Sequence, residues 1–476
     1  MSYFKTARFF LYLTPLVVIL VTTSTLFPFI VGKYVSFRFL VGLSFIFLVL
    51  GIIFGRESRK YWRRLVNAVK SPLGIVIGIF TATFLLACVF GFDPAHSFWS
   101  NFERGEGGLQ IIFLYLFFIS LLTLFEKEKN WRKFLWIFLL SAMLMILYGV
   151  GAGLKYIDAE TTTQIVGGVE QTFFTGSGGP FYTLFHNFIG PSFSEPGFRF
   201  QGSFGNPAYV ATYLIFAMFF AGYLLVSKFR ETNKLKKIVL ISFIAVFLVF
   251  FFLAGTRGAF LGLGAGVFAG LLYLGLSKKS WRKPALGILI ALVVLGSLGI
   301  VFKNTKFVNS IPGSRVFDIS LKTKTFQHRM IMWGVALEGW KEKPVFGWGP
   351  ENYNEIFYRH FPPKYYEPSS GDYGAWFDRA HSVIFDYLAE TGAVGLLAYL
   401  SMFVVFFWQL AKVKVEDSKW SNVLKTLFIA IPIAYLVQGL AFFEILVIYI
   451  ALYVFFALGQ YKLGYKQRET VNKEAN

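Results

Sequence analysis

The chain has 476 residues, 56% of them hydrophobic, 20% aromatic and only 15% charged, against about 25% charged in a soluble domain. That composition excludes a string of water-soluble domains and asks for a count of membrane spans. A single cysteine, Cys88, excludes an intramolecular disulfide framework and a thiolate metal cluster, while the net charge of +20 takes its meaning from where the charges lie.

A hydrocarbon core about 30 Å thick needs roughly 17 to 25 apolar residues per crossing helix. Twelve runs free of Asp, Glu, Lys and Arg meet this, over residues 9–32, 39–55, 71–92, 107–125, 134–154, 200–227, 238–256, 258–277, 284–302, 391–411, 426–443 and 445–461. The expected fold is all-α: one polytopic membrane domain over residues 1–476 with about 12 transmembrane helices. The first run is too long for a signal-peptide core and lacks an Ala-x-Ala-like cleavage site, so it reads as a retained span.

Basic residues gather in alternate connections: Arg56 to Lys70, Lys127 to Lys133, Lys228 to Lys237, Lys278 to Lys283, Lys412 to Lys425, and both termini. These segments hold 29 of the 46 lysines and arginines and 8 of the 26 acids, so nearly all the excess charge lies on one face. The positive-inside rule makes that face, and both termini, cytoplasmic. Membrane lipid headgroups then account for the charge, and no nucleic-acid partner is needed.

On the opposite, extracytoplasmic side two connections are long. The segment after the fifth run, rich in Gly, Thr and Ser, is expected to lie irregularly on the membrane surface. The second covers 303–380, and within it Trp333, Ala336, Leu337 and Trp340 recur at helical spacing, predicting an amphipathic helix over 327–343. Gly262, Gly264, Gly266 and Gly270 fall inside the eighth run and read as close helix packing.

Several residues break local rules. Arg257, between the seventh and eighth runs in Gly-Thr-Arg-Gly-Ala, is a cation at a helix N-terminus, where the macrodipole favours anions. Such a place suits a phosphate-bearing ligand, or else the arginine snorkels to the interface. Arg199 and Arg329 face the same compartment beside apolar segments, each readable as a binding residue or as ordinary surface. His381 lies where the long loop enters the tenth run, a position that keeps imidazole neutral and able to take a proton. A structural role is its alternative, and more so for His96, His186, His328 and His360. No His-Glu-x-x-His, Cys-x-x-Cys or Walker loop is present, so neither metal nor cofactor is expected, and phosphate chemistry would rely on cationic side chains.

Five stretches in order carry a family likeness: Phe200 to Ala211 (FQGSFGNPAYVA) after Arg199, Gly255 to Ala259 (GTRGA), Arg329 with Trp333, Lys343 to Tyr353 (KPVFGWGPENY) and Ala380 to Gly395 (AHSVIFDYLAETGAVG). They resemble the O-antigen ligase and polymerase superfamily, with the catalytic region over 199–395. The resemblance implies a GT-C-type architecture and a metal-independent glycosyltransferase of the bacterial cytoplasmic (inner) membrane. Its donor would be an undecaprenyl diphosphate-linked glycan and its acceptor a glycolipid, glycan or protein. By the same resemblance, Arg257 and Arg329, with Arg199 as a further basic position, match the family's donor-diphosphate ligands, and His381 its essential histidine. The family often has Asn where this chain has Ser382. The stretch Phe98 to Arg104 looks like members from lineages without a well-defined lipopolysaccharide.

A glycan polymerase or a protein O-oligosaccharyltransferase is the alternative within the superfamily. From another class, a twelve-span transporter or lipid-linked glycan flippase shares the span count. Transporters commonly repeat their halves and place polar residues near the midplane. Here the halves differ and the unusual charges sit at the external edge.

Overall fold

A computed structural model of the chain describes residues 3–474 apart from 23, 26, 102–103, 158–159, 167–168, 176–198, 228–232, 310–313, 318–323, 362, 364–376 and 414–420. In chain order its main helices are α1 (Tyr3–Leu13), α2 (Val31–Phe54), α3 (Ser58–Val69), α4 (Pro72–Phe90), α5 (Pro94–Trp99), α6 (Gly108–Leu124), α7 (Glu128–Ile157), α8 (Pro207–Ser227), α9 (Lys234–Leu253), α10 (Arg257–Ser277), α11 (Arg282–Val301), α12 (Lys324–Glu342), α13 (Tyr353–Arg359), α14 (Val383–Ala411), α15 (Asn422–Gly439) and α16 (Leu446–Glu474). Among the described residues ten helices are long and apolar enough to cross a membrane, and α6 is a shorter apolar helix. The protein is a helical, multi-pass membrane protein.

The N-terminal run departs from the expected span over 9–32. Helix α1 ends at Leu13, a 3-10 stretch continues over Thr14–Ile19, and α2 begins at Val31. Pro15 lies in the first turn of the 3-10 stretch and offers no N–H to a continuing α-helix. The α and 3-10 rises together give a rod of about 28 Å, close to a bilayer core.

The early start of α2 also brings Lys33 and Arg38 into a helix. Lys33 Nζ donates to the carbonyls of Leu20, Phe29 and Ser203, each at 2.7 Å. Arg38 donates to Gln110 Oε1 at 2.8 Å and to the Gly105 carbonyl at 2.6 Å. These oxygens take up the hydrogen-bonding capacity of two cations near the N-terminal end of the helix.

A second correction concerns the described part of the segment after α7; residues 176–198, on which the rest of that expectation falls, lie outside the described residues. Strands β1 (Glu160–Val166) and β2 (Val169–Thr175) pair antiparallel, with Val166 opposite Val169. In sequence two glycines separate two runs rich in Thr, Val, Ile and Phe, which is a hairpin pattern and not an irregular one.

The centre of the bundle is α16, whose residues from Val447 to Leu458 are almost all inaccessible, packed beside α8. Helix α11 lies at the edge, with Leu292, Val293 and Leu295 turned outward as a hydrocarbon-facing helix requires. Helices α10 and α15 pack closely, because a Cβ at Gly262 or Gly266 would collide with the carbonyls of Ala434 and Ala430. Gly264 points into open space, so the glycine run is a packing stripe in three of its four positions. The amphipathic helix of the long loop is α12. It buries Met332, Val335 and Ala336, a face turned by about one residue from the sequence reading, with Trp333 at its margin.

Candidate active site

The site is built around a break in α14 at Gly392, where φ is +66°. Backbone groups beside the break are taken up by residues 344–349: Ala393 N–H donates to the Pro344 carbonyl at 2.9 Å, Trp348 N–H to Ala389 at 2.9 Å and Gly349 N–H to Glu390 at 2.8 Å. The backbones approach so closely that a Cβ on Gly392 would collide with the Val345 carbonyl, and one on Gly347 (φ +68°) with Glu390. Two stretches distant in sequence, KPVFGWGPENY and AHSVIFDYLAETGAVG, thus form one unit at the mouth of α14.

His381 stands immediately before α14 with φ +56°, a left-handed conformation that costs a residue other than glycine about 1–3 kcal/mol. Two contacts hold it. Ala380 N–H donates to Asp386 Oδ1 at 2.6 Å, and His381 Nδ1 lies 3.1 Å from the Arg379 carbonyl. A carbonyl only accepts, so Nδ1 carries the proton and Nε2 presents a lone pair. The ring is set edge to face between Phe377, at 5.3 Å between centroids, and Phe443, at 5.0 Å. Burial lowers the His381 pKa below its ordinary 6.5. The charges of Arg329 and Arg104 act in the same sense, against the Arg379 hydrogen bond and Asp378.

Arg257 opens α10 directly after its N-cap residue Thr256. Arg199 grips the same turn, with Nε donating to the Ala254 carbonyl at 3.2 Å and Nη2 to Thr256 Oγ1 at 3.0 Å. Arg329, near the start of α12, is largely buried. Burial and then the charge of Arg257 lower its pKa. The two cations disfavour each other, and a bound anion would relieve that repulsion. Arg329 also bears on His381. Arg199, Arg257, Arg329 and His381 therefore share one neighbourhood.

The structure adds residues to which the sequence reading gave no role. Arg104 donates to Asp378 Oδ2 through Nε at 2.9 Å and Nη2 at 2.6 Å, and its guanidinium lies 4.8 Å over the Phe443 ring that also flanks His381. Burial alone would raise the Asp378 pKa, but Arg104 and Arg379 hold it below the usual carboxylate value. Beneath His381 the buried guanidinium of Arg379 pairs with Glu351 and Glu390, and with Glu106 at 3.7 Å. A cavity of about 30 Å³ lies among Glu106, Arg379, Asp386, Glu390 and Glu444. Burial raises the Glu106 carboxyl well above its ordinary value and takes Glu444 to about 7. Two acids, Asp386 and Glu390, among apolar residues just before the tenth run were the available sequence signal, since ionisable residues in crossing helices are seldom without a role.

The other histidines lack this setting. His360 Nε2 lies 2.9 Å from Glu342, tying the end of α13 to α12. His96 belongs to the short α5 and His328 to α12. His186 lies outside the described residues. Among the described residues no group of three His, Cys, Asp or Glu side chains is arranged to hold a metal ion.

Residues 239–400 match a family model described as O-antigen ligase. Over that stretch the chain is similar to O-antigen ligases. The O-antigen ligase match includes Arg257, Arg329, Arg379, His381, Asp386 and Glu390, whereas Arg104, Glu106 and Arg199 precede it. A search of curated proteins finds no match to the chain. The similarity supports a membrane glycan ligase- or polymerase-like function in polysaccharide biosynthesis, suggests a glycosyltransferase-like enzyme and implies lipid-linked glycans and glycan acceptors as general substrates.

Proposed function

We propose that the protein transfers a preassembled glycan from undecaprenyl diphosphate to an acceptor hydroxyl on the extracytoplasmic face of the bacterial cytoplasmic membrane. The observation that carries this reading is His381 Nδ1 held at the Arg379 carbonyl, which leaves Nε2 unprotonated, in the electrostatic reach of Arg329, which in turn feels the charge of Arg257. The arginines bind the donor diphosphate. Nε2 takes the acceptor hydroxyl proton as that oxygen attacks the anomeric carbon, and the bond from that carbon to the diphosphate oxygen breaks. Charge builds on the departing diphosphate, where fixed guanidinium donors stabilise it most. The test is transfer in proteoliposomes from a polyprenyl diphosphate-linked glycan to an added acceptor. Appearance of a glycosylated acceptor is expected. Donor movement across the bilayer with no such product would replace this reading with a flippase.

With guanidinium groups supplying the positive charge, transfer is expected to continue in excess EDTA. Activity that disappears with chelator and returns only with a divalent ion would contradict the arginine-based account.

The orientation makes a separate prediction. Loops that approach the site carry little net charge and the basic connections lie at the other ends of the helices, which supports an external site and cytoplasmic termini. Lys341, exposed on α12, is a suitable probe. In a Cys88→Ala background, Lys341→Cys is expected to react with an impermeant thiol reagent in intact spheroplasts. Labelling only after the membrane is lysed would reverse the topology.

A further inference from the structure

We propose that Asp386, together with the Arg379 ion cluster, positions His381 by fixing the backbone turn from which its ring projects; the inference rests on the transfer reaction assigned to His381 above. Three consecutive residues are tied down in different ways. The Arg379 side chain is anchored below by Glu351, Glu390 and Glu106, while its carbonyl faces His381 Nδ1. Ala380 N–H is held by Asp386 Oδ1 at 2.6 Å. Asp386 N–H in turn donates to the Ser382 carbonyl at 2.8 Å, in the first turn of α14, so the carboxylate that holds Ala380 is carried by a backbone fixed in the helix.

The anchors come from separate parts of the chain. Glu106 precedes α6 and also accepts from Leu446 N–H at 3.1 Å, at the start of α16. Glu351, with φ +70°, lies between α12 and α13 and donates its N–H to Glu390 Oε1 at 3.1 Å. Glu390 stands two residues before the break in α14. One guanidinium thus gathers three distant elements under the residue whose left-handed conformation needs outside support. The carbonyl of Arg379 also selects the Nδ1–H tautomer, and the chemistry needs the lone pair at Nε2. Asp386 does not face the donor arginines in this arrangement, so its effect should reach the reaction only through His381.

Truncating Asp386 should therefore change the rate at saturation and the state of the histidine, with donor binding spared. Asp386→Ala is expected to lower kcat by about a hundredfold, the order of loss that misplacing a reacting group brings, with donor KM little changed. Asp386→Asn keeps an acceptor for Ala380 N–H and should retain most activity. Nitrogen-15 histidine spectra, with the His381 signal assigned by its loss in His381→Gln, should show a single Nδ1–H tautomer in the wild type and a mixture in Asp386→Ala. If Asp386→Ala does not accumulate in the membrane, Asp386→Glu, which moves the carboxylate by one methylene, takes the same two readouts. The groups facing His381 (Arg104, Asp378 and Arg329) are unchanged in every variant, and Asp386→Asn removes the same carboxyl charge as Asp386→Ala while keeping the acceptor, so a single tautomer in Asn beside a mixture in Ala reports the turn and not the lost charge. A wild-type spectrum and kcat in the Ala or Glu variant would overturn the proposal, as would a loss confined to donor KM. The tautomer change without glycan transfer by any form, wild type included, would remove the assigned reaction and leave the positioning role standing.

Discussion

Replacing His381 with alanine is expected to lower transfer by about a hundred- to ten-thousandfold, the range for a positioned general base, with donor affinity little changed. The argument rests on the tautomer. With Nδ1 committed to the Arg379 carbonyl at 3.1 Å, the free lone pair is on Nε2, and the alanine variant has nothing there to accept the acceptor proton. The pH dependence has a definite sign. The base must be neutral, and burial with neighbouring cations depresses its pKa below 6.5. Wild-type activity should thus be complete at pH 7 and fall as pH drops through a value below the ordinary imidazole range. Residual activity in His381→Ala should lack that acidic limb. A limb at or above 6.5, or a variant that loses donor affinity while keeping its rate at saturation, would make His381 a donor ligand.

Arg257→Lys and Arg329→Lys are each expected to lose about a hundred- to a thousandfold in transfer, the usual loss on removing one preorganised donor to developing charge. Lysine keeps the charge but not the planar fork that grips two diphosphate oxygens together. The position of Arg257 at the first turn of α10 sharpens the point, since the helix dipole there already favours an anion and lysine preserves that field. Activity, measured alongside membrane insertion and thermal stability, is the readout. Near-normal transfer by either lysine variant would reduce that arginine to background electrostatics.

The crossing helices were legible because apolar length is a local property, and their ends were less so. Residues 9–32 looked like one span, but Pro15 turns the helix into a 3-10 stretch, and Lys33 with Arg38 could be read as helical only once their carbonyl and amide partners were known. Arg257 and His381 stood out because each contradicts the field of its own helix end or loop. Arg104, Glu106 and Glu351 did not, because each looks like ordinary loop polarity until the fold brings it against Asp378 or Arg379. The left-handed turn at His381 has only a faint sequence mark. Histidine has a mild preference for positive φ, but it is too weak to place φ +56° at this residue without the contacts from distant segments that hold it.

The most direct test of the whole account is the chemical identity of both products after purified, reconstituted protein acts on a polyprenyl diphosphate-linked glycan. The account predicts one new glycosidic bond to an acceptor hydroxyl for each carrier released, with both phosphates remaining on the polyprenyl chain. A phosphate carried over with the sugar, or intact donor merely redistributed between the leaflets, would contradict it.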